Sequence, residues 1–164
     1  MGVTGVIDRD KTVKDRTVEQ GMEVEIIASA AQCGSENLFY GIGVLDPGAH
    51  TGLHVHDGIE IAWFMLAGET YCVMGSLEDG DYGIEECHRN SAGYVASGEI
   101  HLQVNRSDTE PAVILMAYVG TNTAPGAQGR LVEMPEVLQG LLEAKGITLS
   151  DHVITARKTS RTEK

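Results

Sequence analysis

Residues 48–60 read GAHTGLHVHDGIE. Three of the six histidines in the chain, His50, His54 and His56, fall in this stretch, and Glu60 closes it. His54 and His56 are two residues apart. In an extended strand that spacing puts both side chains on one face. Two imidazoles so placed can share one metal ion. The competing reading is a solvent-facing histidine cluster on an acidic surface. The sequence on either side has to choose between them.

That sequence is rich in short strands. MEVEIIAS (22–29), NLFYGIGVL (37–45), EIAWFMLAG (60–68), TYCVM (70–74), GYVAS (93–97), HLQVNRS (101–107) and AVILMAYV (112–119) are apolar or alternating runs bounded by turn residues. Pro47-Gly48 marks one turn, and the acidic stretch SLEDGDYGIEE (76–86) reads as a loop. A chain of short strands calls for an antiparallel sandwich or barrel, an all-β fold. No P-loop, dinucleotide fingerprint or nucleophile elbow is present. Only the end differs: EMPEVLQGLLEAKG (133–146) reads as an amphipathic helix, with Val137, Leu138, Leu141 and Leu142 on one face and Gly146 at the stop. The expected organisation is an N-terminal arm over 1–20, a β domain over 21–132, a C-terminal helix over 133–147 and a polar tail over 148–164.

Composition narrows the partners. The 164 residues carry 24 acids against 12 bases, a formal net charge of −12. A basic face for phosphates is missing from that balance, so neither nucleic acid nor an anionic membrane is an expected partner. No apolar run approaches the ~20 residues of a membrane span, and residues 1–20 lack a signal-peptide core. Three cysteines, Cys33, Cys72 and Cys87, have no C-x-x-C spacing, which fits free thiols and a cytoplasmic chain. Cys87 and His88 are neighbours and would face opposite ways on a strand; they read as a turn or surface pair.

Downstream, His101 opens the alternating run HLQVN, and a reversal through Asp57-Gly58 can bring Glu60 near the first two histidines. Facing hairpins then assemble His54, His56, Glu60 and His101 into a metal set with open positions for water or substrate. His50 is assigned to the surface, with the mouth of the site as its alternative, and His88 and His152 to the surface. Gln103 and Asn105 share the face of His101; Gln103 is a candidate catalytic side chain and Asn105 a turn holder. Tyr40 is a second catalytic candidate, against the alternative of a core aromatic. The expected pocket walls are Ile42, Val44, Met65 and Met116, with either Trp63 or Phe64 turned inward. Such walls suit a substrate with an apolar or aromatic body.

With those residues in place, the chain resembles the cupins. Their first motif, G-x5-H-x-H-x3 or 4-E-x6-G, is met by Gly48, His54, His56, Glu60 and Gly68. The second, G-x5-P-x-G-x2-H-x3-N, is met by Gly98, His101 and Asn105, with Asn90 for the first glycine and Ala96 for the proline. Glu60 takes the short spacing, while Gly68 falls where the long one would put it. Counted back from Gly68, the acid position is Ile61. A bulge would restore the facing of Glu60; without one it turns away. The resemblance implies a double-stranded β-helix, or jelly-roll barrel, that commonly forms a homodimer. It also implies one divalent transition metal (Fe, Zn, Ni or Mn). The expected function is a metal-dependent enzyme acting on a small organic molecule, foremost an Fe(II)-type dioxygenase. The alternatives are a Zn-type cyclase, isomerase or lyase, and a cupin that only binds ligands.

Overall fold

The computed structural model describes residues 5–150. Its strands are β1 (Val13–Asp15), β2 (Glu23–Ala28), β3 (Leu38–Leu45), β4 (His54–Val55), β5 (Glu60–Ala67), β6 (Glu69–Ser76), β7 (Asp81–His88), β8 (Ala92–Val95), β9 (Ile100–Asn105), β10 (Ala112–Val119) and β11 (Arg130–Leu131). Short helices α1 (Ala30–Cys33) and α2 (Ala124–Ala127) sit in connections, and α3 (Glu136–Ala144) follows β11. Six strands form one sheet in the order β1-β2-β3-β10-β5-β8; five form a second, β11-β4-β9-β6-β7. The pairings are antiparallel throughout. Among the described residues no helix is long and apolar enough to cross a membrane.

Strand alternation decides what each sheet encloses. In β5, Ile61, Trp63 and Met65 are buried and the residues between them are exposed. In β10, Ala112, Ile114, Met116 and Tyr118 are buried in the same rhythm. These two sets join Phe39, Leu45, Cys72 and Cys87 in the core between the sheets. Strand β9 is buried on both faces. His101, Gln103 and Asn105 turn to the interior, while Ile100, Leu102 and Val104 join Leu138 and Leu142 of α3 in a second apolar cluster. The helix therefore covers the outer face of the five-stranded sheet. Leu138 and Leu142 are fully buried, Val137 is exposed, and Pro135 precedes the first turn as N-cap. Gly146 stops the helix at φ +71°.

Two expectations change here. The segment expected as a loop is mostly strand: β7 pairs with β6 over its whole length. It is an acidic edge strand with alternating half-buried Tyr82 and Ile84, so its apolar rhythm is faint. The arm is also more than an arm. The loop from β1 to β2 turns inward and buries Val18, Glu19 and Met22 in the core. Gly21, at φ +84°, makes that possible, because a Cβ there would stand 2.1 Å from the carbonyl oxygen of His50. Met22 in turn lies over Gly43, where a Cβ would meet its sulfur at 2.1 Å. At the other end, residues 151–164, with His152 and most of the expected polar tail, lie outside the described residues.

Candidate metal centre

The three expected histidines meet. His54 on β4 is the direct cross-strand partner of His101 on β9, and His56 follows just past the end of β4. Their ligand atoms all lie within 4.8 Å of one another. Ring centroids are 4.1 Å apart for His54 and His101, 4.9 Å for His54 and His56, and 5.2 Å for His56 and His101. All three are buried. Glycine at 129 lets the neighbouring backbone close over His54, since a Cβ there would reach the imidazole at 2.2 Å.

Glu60 is not with them. Its even position in β5 faces outward, and its carboxylate accepts a hydrogen bond from the Tyr94 hydroxyl on the exposed side. The register of β5 shifts only between Val113 and Ile114 of its partner strand, too late to turn Glu60 round. Ile61 faces inward and lines the cavity. The same parity puts Trp63 inside and Phe64 outside.

The carboxylate beside the histidines belongs to Glu19, a residue that sequence patterning did not single out. Its Oε2 is 3.1 Å from His54 Nε2 and its Oε1 is 3.3 Å from His56 Nε2. The Tyr118 hydroxyl donates to Oε1 at 2.7 Å. Burial pushes the Glu19 carboxyl up, but the imidazoles of His54 and then His56 outweigh it and hold it well below the ordinary value of 4.5. His101 is driven well below 6.5, first by burial and then by His54, so it stays neutral with a lone pair to offer.

Backbone carbonyls orient two of the rings. His54 Nδ1 lies 2.6 Å from the Gly52 oxygen, and His101 Nδ1 lies 3.4 Å from that of Glu99. With Nδ1 as the donor, His54 Nε2 turns a lone pair toward a carboxylate oxygen at 3.1 Å. A contact this close calls for a positive charge between the two atoms, either a proton on the imidazole or a metal ion. The described residues fit a divalent transition metal: imidazole nitrogens converge, backbone carbonyls orient two of the rings, and a carboxylate lies alongside.

A cavity of about 30 Å³ adjoins the histidines, room for one or two water-sized groups. Met22, Ile61, Trp63, Val95, Ile114 and Met116 supply its apolar wall. Gln103 also lines it; its Nε2 donates to Cys72 Sγ at 3.3 Å, and its Oε1 has no partner among the described residues. Trp63 Nε1 is likewise buried without a partner. Tyr40 is elsewhere. It pairs with Ala117, between the inward residues Met116 and Tyr118, so it sits on the opposite face of the sheet. Ile42 and Val44 share that outer face, whereas Met65 and Met116 belong to the interior core. Asn105 holds the turn through donations to the carbonyls of Leu45, Asp46 and Glu110. His50 is buried rather than at the surface: Nδ1 approaches the Thr51 oxygen, and Nε2 accepts from the Ser150 amide at 2.9 Å. Cys72 faces the cavity, but its hydrogen bond with Cys87, and then burial, push the thiol up.

Solved structures share this architecture. Peruvianin-I, a cysteine peptidase from Thevetia peruviana latex, aligns at TM-score 0.63 and 17% identity over 79% of this chain and 78% of its own. The polyketide cyclase RemF from Streptomyces resistomycificus aligns at 0.63 and 15% over 86% and 94%. A variant oxalate decarboxylase from B. subtilis aligns at 0.63 and 20% over 90% of this chain but 39% of that one. No family model matches the sequence, and no curated protein does. Two antiparallel sheets enclosing the histidine cluster, with further neighbours titled as an RmlC-like cupin and a cupin domain, define the class: the chain has the cupin fold.

Proposed function

We propose that this chain is a metal-dependent cupin enzyme acting on a small organic molecule, and that His54, His56 and His101 bind the metal. The observation that carries this reading is the convergence of three buried imidazoles within 4.8 Å. Burying that many polar rings side by side is costly unless something uses their nitrogens. Bound there, a ferrous ion would supply redox chemistry toward dioxygen, and a zinc ion Lewis acidity toward a carbonyl or enol oxygen.

The chain's own residues do the rest. The carbonyls of Gly52 and Glu99 orient two of the imidazole rings. The apolar wall excludes water from the reacting centre. Trp63 Nε1 offers a donor and Gln103 Oε1 an acceptor to a bound molecule, and both are buried without partners among the described residues. An apolar cavity of about 30 Å³ suits dioxygen beside one small polar group of a substrate, which favours the Fe(II)-type dioxygenase. Larger substrates require the walls to move. The second reading is a Zn-type cyclase, isomerase or lyase, supported by the likeness to RemF over most of both chains. Cys72, the thiol that faces the cavity, is pushed up by its hydrogen bond with Cys87 and by burial, which disfavours it as a nucleophile.

Elemental analysis of untagged protein beside His101→Ala tests the reading. Near-stoichiometric iron, lost in the variant, followed by substrate-dependent oxygen uptake, supports the dioxygenase. Stoichiometric zinc with anaerobic turnover supports the second reading. Equal metal content in the two proteins would remove the histidine site altogether.

A further inference from the structure

We propose that Glu19, carried in by the loop between β1 and β2, is the fourth protein ligand of the metal. The inference rests on the histidine site proposed above. The strand position from which an acid would enter the interior is Ile61, which is apolar, and Glu60 beside it faces out. The carboxylate arrives instead from a segment more than thirty residues earlier in the chain.

The distances fit a shared ion. Ligand atoms bound to one ion through bonds of about 2.1 Å stand roughly 3.0–3.4 Å apart in octahedral or tetrahedral shells. The Glu19 oxygens stand 3.1 and 3.3 Å from the Nε2 atoms of His54 and His56. Charge points the same way. A divalent ion on three neutral imidazoles leaves two positive charges in a buried site, and one carboxylate offsets half of that.

The carboxylate is also held as a ligand is held. Tyr118 fixes Oε1 from β10, leaving Oε2 directed at His54. The backbone is fixed by the approach of Gly21 to His50 and by Met22 seated over Gly43. The N-terminal hairpin thus becomes part of the metal site.

Cobalt(II) titration of chelator-stripped protein, followed by calorimetry and by the visible ligand-field spectrum, tests this. Wild type, Glu19→Gln, Glu19→Asp and His101→Ala are compared, with far-UV circular dichroism checking the fold of each. Glu19→Gln is expected to weaken cobalt binding by about 100-fold or more and to change the spectrum, since outer-sphere partners alone are worth 10- to 100-fold. Glu19→Asp keeps the charge but shortens the reach, and is also expected to show an altered spectrum. It serves as the deciding variant if Glu19→Gln does not fold. Wild-type affinity and spectrum in the folded Glu19 variants would overturn the assignment while leaving the histidine site standing. Equal, weak cobalt binding by wild type and His101→Ala would overturn both.

Discussion

The Tyr118 hydroxyl donates to Glu19 Oε1 at 2.7 Å, and both side chains are enclosed by protein. The pair joins the six-stranded sheet to the β1–β2 loop across the interior. Tyr118→Phe leaves that oxygen without its donor. Removing one partner of a buried charged hydrogen bond costs about 1–3 kcal/mol, so the variant is expected to melt several degrees lower. If Glu19 binds metal, the variant should also lose roughly ten-fold in cobalt affinity, the lower end of outer-sphere effects. Unchanged melting and unchanged affinity would show that the bond does not hold the carboxylate.

The same pair sets an alkaline limit. Burial, and then the negative charge of Glu19, push the Tyr118 hydroxyl well above its ordinary 10.0. A group whose folded pKa is raised gives stability that is complete below the unfolded value and is lost as pH rises above it. Metal-free protein should therefore lose stability above about pH 10. Tyr118→Phe should start lower but show a shallower decline over that range, measured as melting temperature against pH. Parallel curves for the two proteins would remove Tyr118 as the cause.

Gly21 holds the loop that carries Glu19. Alanine there would adopt an unfavourable positive φ and bring its Cβ to 2.1 Å from a backbone oxygen, which cannot swing aside as a side chain can. Gly21→Ala is expected to cost roughly 1–3 kcal/mol or more by strain and overpacking. Because the loop must back out, metal content should fall too, although no ligand is touched. Full metal occupancy in the variant would mean that the loop is not part of the site.

Glu60→Gln makes a contrasting case. Glu60 matches a motif acid in spacing, yet it bonds Tyr94 on the outer surface. Its amide variant is expected to keep wild-type metal content and to change melting by less than about 1 kcal/mol, as for other exposed polar pairs. Loss of metal in Glu60→Gln would show that β5 turns over in solution.

These cases show why some of the site was legible and some was not. His54, His56 and His101 could be read because H-x-H sets the facing within one strand and an alternating run sets it in another. The facing of Glu60 hung on a single-residue register, and parity could state the alternatives without choosing. The spacing from Gly68 back to Ile61 carried the answer, since Ile61 is the inward residue. The placement of Tyr40 on the outer face was hidden for a related reason: an apolar, glycine-broken strand buried on both faces does not announce its inner side. Glu19 was invisible to patterning, because the β1–β2 loop has no periodicity and its polar sequence looks solvated. The close approach of Gly21 to His50 and of Met22 to Gly43 shows only in the folded chain. Strand β7 was hidden by acids on an edge, where one half-buried face needs few apolar residues.

Trp63 gives the most direct optical test of the interior. It is the only tryptophan in the chain, and it lies against Gly93 of β8, where a Cβ would stand 2.2 Å from the indole ring. Gly93→Ala must push the ring aside or split β8 from β5. The substitution is expected to cost about 1–3 kcal/mol as overpacking. It should also shift the fluorescence maximum, since the indole leaves a buried, mostly apolar environment. Because Trp63 borders the same cavity as His101, metal titrated into wild type should change this fluorescence, and the change should be absent in His101→Ala. A metal-dependent signal that persists in His101→Ala would place the ion away from the cavity and against the histidine site.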